Sequence, residues 1–252
     1  VTEATVNGQR DVVKNERRFR YDNTPYGTMG ERIDEVMYPE GHPYHHSVIG
    51  SMADLSAASL EDVKSFFRQY YVPNNTVLVL TGDFDENQAR GWIQKYFGGI
   101  KNGAAISRPS TPRPKLDGVV RKVYEDAFAR LSRMSLVWHT TPQYTADEAP
   151  LDILAGVLST GRGSRLQSNL VFGKDLATRV SAGNSTNELG GLFEITADAA
   201  QGKSLDDIEK EINIEVERIK KDGPTADEIN RAITIQEAQA IYGLQTVFQK
   251  GS

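Results

Sequence analysis

The stretch KNGAAISRPSTPRPKLDG, residues 101–118, carries three prolines, several small residues and no apolar periodicity. Proline fixes φ and removes a backbone donor, so such a stretch continues neither a helix nor a sheet. It divides the 252 residues into two blocks, each long enough to bury a core. We read a first domain over 1–103, a linker over 104–118, and a second domain, expected to be incomplete, over 119–252.

In the first block, residues 3–22 are polar and helix-permissive, with only Val6, Val12, Val13 and Phe19 as an apolar stripe. Such a helix must lean on a core supplied elsewhere. A loop punctuated by Gly and Pro follows, and then SLEDVKSFFRQYY, where Ser59 and Asp62 have the spacing of a reciprocal cap. Its apolar positions Val63, Phe66, Phe67 and Tyr70 keep a helical period. PNNTVLVLTGDF reads as a turn and a buried strand, and Asp85 with Gln88 caps the helix ENQARGWIQKYFGGI.

In the second block, VVRKVYED and RLSRMSLVWHT read as two strands around a turn, and Thr145 with Glu148 as the cap of TADEAPLDILAGVLS. SRLQSNLVFGKDL reads as a helix, TRVSAGNS and GLFEITADA as strands, and Ser204 opens a helix that Gly223 and Pro224 stop. Thr225 and Glu228 cap a last helix. The recurring order of strands and helices predicts an α+β fold with two related domains, each a mainly antiparallel sheet flanked by helices, truncated at both ends.

A net charge of −5 without a basic block leaves no footprint for nucleic acid. The longest apolar runs, such as TVLVL, are strand-sized and far short of a membrane span. There is no cysteine, so a metal would need His and carboxylate ligands. The chain opens on Val1 with no charged-then-apolar leader, and we expect it to be part of a longer polypeptide.

Four histidines are present: His42, His45, His46 and His139. His45, His46 and Glu40 are ligand types, but adjacent histidines on extended backbone point to opposite sides, which favours a packed, hydrogen-bonded loop. GRGSR, residues 161–165, is either an anion site at a helix start or a tight inter-helix turn, and the turn is the commoner outcome. By spacing alone, Glu16 in VVKNERRFR is a solvated charge with Arg20 as its partner four residues on.

The longer stretches QRDVVKNERRFRYDNTPYG, HPYHHSVIGSMADLSAASLEDVKSFFRQYYVPNNTVLVLTGDFD, WIQKYFGGI and HTTPQYTADEAPLDILAGVLSTGRGSRLQSNLV resemble the zinc peptidases of the pitrilysin/insulinase (M16) family. The likeness runs in order along nearly the whole chain. In that family an inverted His-x-x-Glu-His motif on an upstream helix supplies two zinc ligands and a general base, and a Glu on a later helix supplies the third ligand. Three protein ligands leave a fourth position for water.

The resemblance implies that Glu16 is that third ligand, and that Gln9 stands where many relatives carry a second carboxylate that supports the ligands. No His-x-x-Glu-His occurs in the chain, so it carries no catalytic residue of its own, and zinc belongs to the intact parent. Val171 and Thr178 fall where the family's non-catalytic half carries a substrate-facing Arg and Tyr. The implied function is part of a zinc endopeptidase whose peptide or small unfolded protein substrate is enclosed between two halves, the second half lying in the same chain or another subunit. The alternative is a non-catalytic scaffold or substrate-guiding subunit. Periplasmic or exported placement is what similar long bacterial relatives imply.

Overall fold

The computed structural model describes residues 1–251. The helices are α1 (Glu3–Arg17), α2 (Met29–Met37), α3 (Met52–Ala57), α4 (Leu60–Tyr70) and α5 (Glu86–Phe97), followed by strand β1 (Arg133–Thr140). Then come α6 (Glu148–Ser159), β2 (Ala177–Asn187), β3 (Gly190–Ala199), α7 (Leu205–Asp222), α8 (Ala226–Gly243) and α9 (Val247–Gly251). They form two compact units that interleave along the chain. One holds Val1–Asp22, Ser47–Pro109 and Gln239–Ser252; the other holds Asn23–His46 and Ser110–Ala238.

In the first unit, α1 starts at a reciprocal cap between Thr2 and Thr5 and widens at its end into a π turn, Arg18–Asp22. Arg10 and Arg17 tie it down by donating to the carbonyls of Ala58 and Gly50. α4 has the Ser59/Asp62 cap the sequence predicts, and Asp85 accepts the Gln88 N–H at 2.7 Å to open α5. Gly103 donates its N–H to Asn74 at 2.9 Å, and a Cβ there would lie 2.8 Å from Val72, so this close approach requires glycine. Residues 76–81, expected as a strand, are not part of any ladder; Val77 is 87% exposed. Val6 and Ala89 are the unit's buried hydrophobic residues among the described ones.

The second unit contains the sheet, an antiparallel three-stranded array in the order β1-β3-β2. Apolar and mostly polar residues alternate along β3, so Phe193, Ile195, Ala197 and Ala199 face the core while Leu192, Glu194, Thr196 and Asp198 lie on the other face. The core adds Leu158 from α6, Ile208 and Ile212 from α7, and Leu166 and Leu170 from the π-widened helix around Gln167–Gly173. α6 packs closely on α8: a Cβ on Gly156 would stand 3.1 Å from that of Ala232.

Two local expectations change. Thr145 does not cap α6: it donates to the Pro142 carbonyl, while the Glu148 carboxylate turns back to Tyr144 N–H and the Thr186 hydroxyl. The Thr145 hydroxyl is thereby engaged before the helix begins, next to Tyr144, whose φ of 62° lies in the left-handed region. The expected strand at 119–126 stays outside the sheet, with Val123 95% exposed and Arg121 held by Glu209 of α7.

Candidate functional site

Glu16 lies in the last turn of α1, just before the helix widens. A π turn inserts an extra residue and re-aims the side chains around it, a feature that recurs at functional sites. The Glu16 carboxylate is 39% exposed and meets Arg20 at 3.2 Å. Its neighbours are fixed by other bonds: Arg17 reaches the Gly50 carbonyl at 2.7 Å and Asp22 at 3.4 Å, and Arg18 donates to Asn15. Val12 and Phe19, about one turn to either side of Glu16, are exposed. Gln9 is exposed on the same helix face, seven residues back, roughly 10 Å along the axis.

Zinc needs three or four ligands around one point. Among the described residues no group of three His, Cys, Asp or Glu side chains comes together. The residues present therefore do not make a zinc site by themselves; the last turn of α1 offers one carboxylate, Glu16.

The histidines are used for packing. His42 is 4% exposed and stacks on Tyr38 at 4.7 Å. Its Nδ1 accepts the Tyr44 N–H at 3.1 Å and its Nε2 lies 3.1 Å from the Thr111 hydroxyl, so both ring nitrogens are engaged. His45 donates through Nδ1 to the Tyr38 carbonyl at 2.8 Å, with the His46 ring perpendicular to it. His139 packs edge-on to Tyr38 and its Nε2 is buried without a partner. Burial holds the pKa values of His42 and His139 below the usual imidazole range.

One titratable group was not foreseen. The Asp34 carboxyl on α2 is pushed up to about 6, first by burial and then by the Glu31 and Glu194 carboxylates, against an opposing pull from His45. Only the fold brings Glu194 of β3 near α2, so no local pattern announces it. A raised carboxyl favours the protonated folded state, and the stability this supplies is lost as pH rises through about 6. Asp34→Asn is expected to stabilise the second unit by about 1–2 kcal/mol at pH 8, after allowance for solvent screening, and to change little at pH 4. Thermal unfolding at both pH values checks it; equal shifts at the two contradict the assignment. The buried histidines act with the opposite sign, losing stability as pH falls below their ordinary value.

GRGSR forms the tight turn. Gly161 has φ 80°, Ser164 closes on its carbonyl, Arg162 lies over the Phe172 ring and Arg165 pairs with Glu228. Val171 packs against the core, and Thr178 is exposed at the β2 bulge, donating to the Asp198 carbonyl.

A family profile described as Peptidase M16 inactive domain matches residues 57–236. The zinc protease PqqE of Helicobacter pylori is 31% identical over 240 residues, covering 94% of this chain and 54% of that protein. A crystal structure of a protease from Helicobacter pylori superposes with a TM-score of 0.89 at 29% identity, over 99% of this chain and 60% of that one. The periplasmic protease PqqL from Escherichia coli gives a TM-score of 0.77 at 14% identity, over 99% of this chain and 28% of that one, a likeness of fold alone. The chain spans about half the length of the curated relatives it matches. No described helix is long and apolar enough to cross a membrane.

Proposed function

The chain belongs to the M16 peptidase family, and from that premise we propose that it is the part of a zinc endopeptidase that supplies the third metal ligand, Glu16, to a site completed outside these residues. The observation that carries this reading is the position of Glu16: a partly exposed carboxylate at a widened helix end. Its donor chemistry fits zinc as one contributed ligand. Gln9, on the same face but a helical stretch away, is the candidate to support the other ligands of the completed site, in the place where many relatives carry a carboxylate. The chain's own residues position this carboxylate through Arg10 and Arg17, which anchor α1 to loop carbonyls. The isolated chain is expected to be inactive.

The substrate of the parent is a peptide or small unfolded protein, held between this half and a second peptidase half in the same chain or another subunit. Likeness to zinc proteases supports the class, and likeness of fold to PqqL, a periplasmic protease, supports a periplasmic placement. A second reading, a non-catalytic scaffold or substrate-guiding subunit, draws support from the description of the matching profile as an inactive domain. That profile begins after Glu16, at residue 57.

Hydrolysis of an unfolded, fluorescently quenched peptide by a polypeptide extended to include the preceding helix tests the choice. The enzyme reading expects turnover that a zinc chelator abolishes. Peptide binding without turnover supports the scaffold and overturns the enzyme.

A further inference from the structure

Two imidazoles of the second unit occupy places where only the neutral ring fits. The Tyr44 N–H can only donate, and it donates to His42 Nδ1 at 3.1 Å, so that nitrogen carries no proton. A proton there would set two donors against each other at the start of the 3-10 turn Pro43–His45, which His42 caps. His139 on β1 spends one ring nitrogen on the Met37 backbone, and its Nε2 is buried without a partner. A proton on Nε2 would be a buried donor with no acceptor. Both rings lie against the buried Tyr38, His42 stacked at 4.7 Å and His139 edge-on at 5.5 Å.

The groups around the two rings do not offset such a charge. Tyr44 and the Thr111 hydroxyl touch His42, while Arg113 places a cation at the His139 carbonyl, 2.6 Å away. Each imidazolium would also meet the other's charge. Asp34 acts on Tyr38 and His45, but it loses its own charge below about 6, and Glu31 and Glu194 face Asp34. His46 is exposed, against the His45 ring.

We propose that residues 38–46 are an acid-released clasp: neutral His42 and His139 hold this loop closed on the sheet-bearing unit, and protonation of both frees it while the sheet stays folded. Local release is possible because the core cluster of Leu158, Leu166, Leu170, Ile195, Ile208 and Ile212 takes no residue from the loop. Besides the two rings, the loop is fastened to the sheet by the Tyr44 hydroxyl, which accepts the Leu189 N–H at 3.0 Å. The sign follows from burial, which lowers both imidazoles: their contribution is complete above the ordinary value of 6.5 and is lost as pH falls through the lowered ones. Chain order gives the release a consequence. Asn23–His46 is preceded by Val1–Asp22 and followed by Ser47–Pro109, both of the first unit, so an open clasp turns this stretch from part of a folded unit into a tether.

Amide hydrogen exchange at pH 8 and pH 5 tests this, read as protection relative to the unfolded rate at each pH. An Asp34→Asn background removes a carboxyl whose pH response has the opposite sign. In that parent, peptides covering 38–46 are expected to lose protection by about 10-fold or more on acidification, the scale of one pKa unit of linkage, while peptides of β3 keep theirs. His42→Asn combined with His139→Phe should hold the loop's protection level over the same range. Asn accepts the Tyr44 N–H as a neutral cap, and Phe keeps a ring against Tyr38 without a nitrogen. Constant loop protection in the parent overturns the proposal, and so does a loss shared equally by β3, which is unfolding of the whole unit. An undiminished loss in the double variant overturns it as well. Should that variant lose β3 protection at pH 8, His42→Asn alone decides: an acid loss smaller than the parent's supports the clasp, and an equal one overturns it.

Discussion

Glu228→Gln is expected to lower the stability of the sheet-bearing unit by about 3 kcal/mol, the scale of breaking one side of a buried ion pair. The Glu228 carboxylate accepts from Arg165 Nε at 2.7 Å and from a terminal guanidinium nitrogen at 2.8 Å, and it also accepts the Thr225 N–H that opens α8. Both side chains are largely buried, with exposures of 12% for Arg165 and 17% for Glu228. The other Arg165 nitrogen, Nη1, is already buried without a partner. Removing the carboxylate charge therefore strands a cation that water reaches poorly. Arg165→Met in the same background should recover part of the loss, because it removes that stranded cation.

The same pair sets an acid limit. Hydrogen bonds from Arg165, joined by those of Thr225, hold Glu228 down to about 2. A depressed carboxylate supplies stability that is complete above its unfolded value of 4.5 and disappears as pH falls through about 2. Glu228→Gln should therefore flatten the acid limb of the stability curve. Trp138 on β1 reports the transition, its ring 6.4 Å from that of Phe193, in a Trp92→Phe background that silences the other unit. Unchanged urea midpoints in the Glu228→Gln protein at pH 7 would contradict this account.

Glu16→Gln is the variant with the largest functional effect. In a polypeptide that holds the remaining ligands, it is expected to weaken zinc more than about 100-fold. The reason is that loss of a group that merely orients a ligand already costs roughly 10–100-fold, and a ligand itself must exceed that. Gln keeps the shape and one acceptor but lacks the negative charge that offsets the dication. Glu3→Gln, an exposed carboxylate in the first turn of the same helix, should leave the affinity unchanged. Gln9→Ala should fall between the two. Competition with a chromophoric chelator gives all three values, and equal affinities for the Glu3 and Glu16 variants would remove Glu16 from the site.

Elements governed by local rules were legible in the sequence. Ser59/Asp62, Asp85, Ser204, Gly223 and the Thr225/Glu228 pair all mark helix ends where their side chains or backbone make the expected contacts. β2 and β3 follow from alternation, and the tight turn at Gly161 from its glycines. What escaped was long-range. The π turns after Arg17 and at Gln167–Gly173 have apolar spacing indistinguishable from an α-helix. Asn23–His46 joins the unit of the distant sheet because Tyr26 bonds to Asp126 and Leu131, and Tyr44 accepts the Leu189 N–H. None of these pairs leaves a periodic trace.

The same division holds for the candidate site. Glu16 with Arg20 at i+4 was readable from spacing, and the structure has that ion pair. The ligand role proposed for Glu16 rests on the family resemblance, since no group of three ligand side chains comes together among the described residues. Asp34 was invisible for the complementary reason: its carboxyl is raised by burial and by Glu31 and Glu194, and the Glu194 contact exists only once β3 and α2 are folded together. The histidine loop does pack as expected, but not because extended neighbours diverge: Pro43–His45 is a 3-10 turn and the His45 and His46 rings meet at 5.0 Å, while His42 spends both nitrogens on neighbours.

The most direct test of the central claim is the zinc content, by elemental analysis, of the polypeptide extended through the preceding helix, with its Glu16→Gln variant alongside and the 252-residue chain as blank. The account predicts about one zinc per extended chain, as a three-ligand site holds, with almost none in the variant or the blank. An extended chain without zinc, or a variant that holds as much as its parent, would contradict it and leave Glu16 a surface charge paired with Arg20.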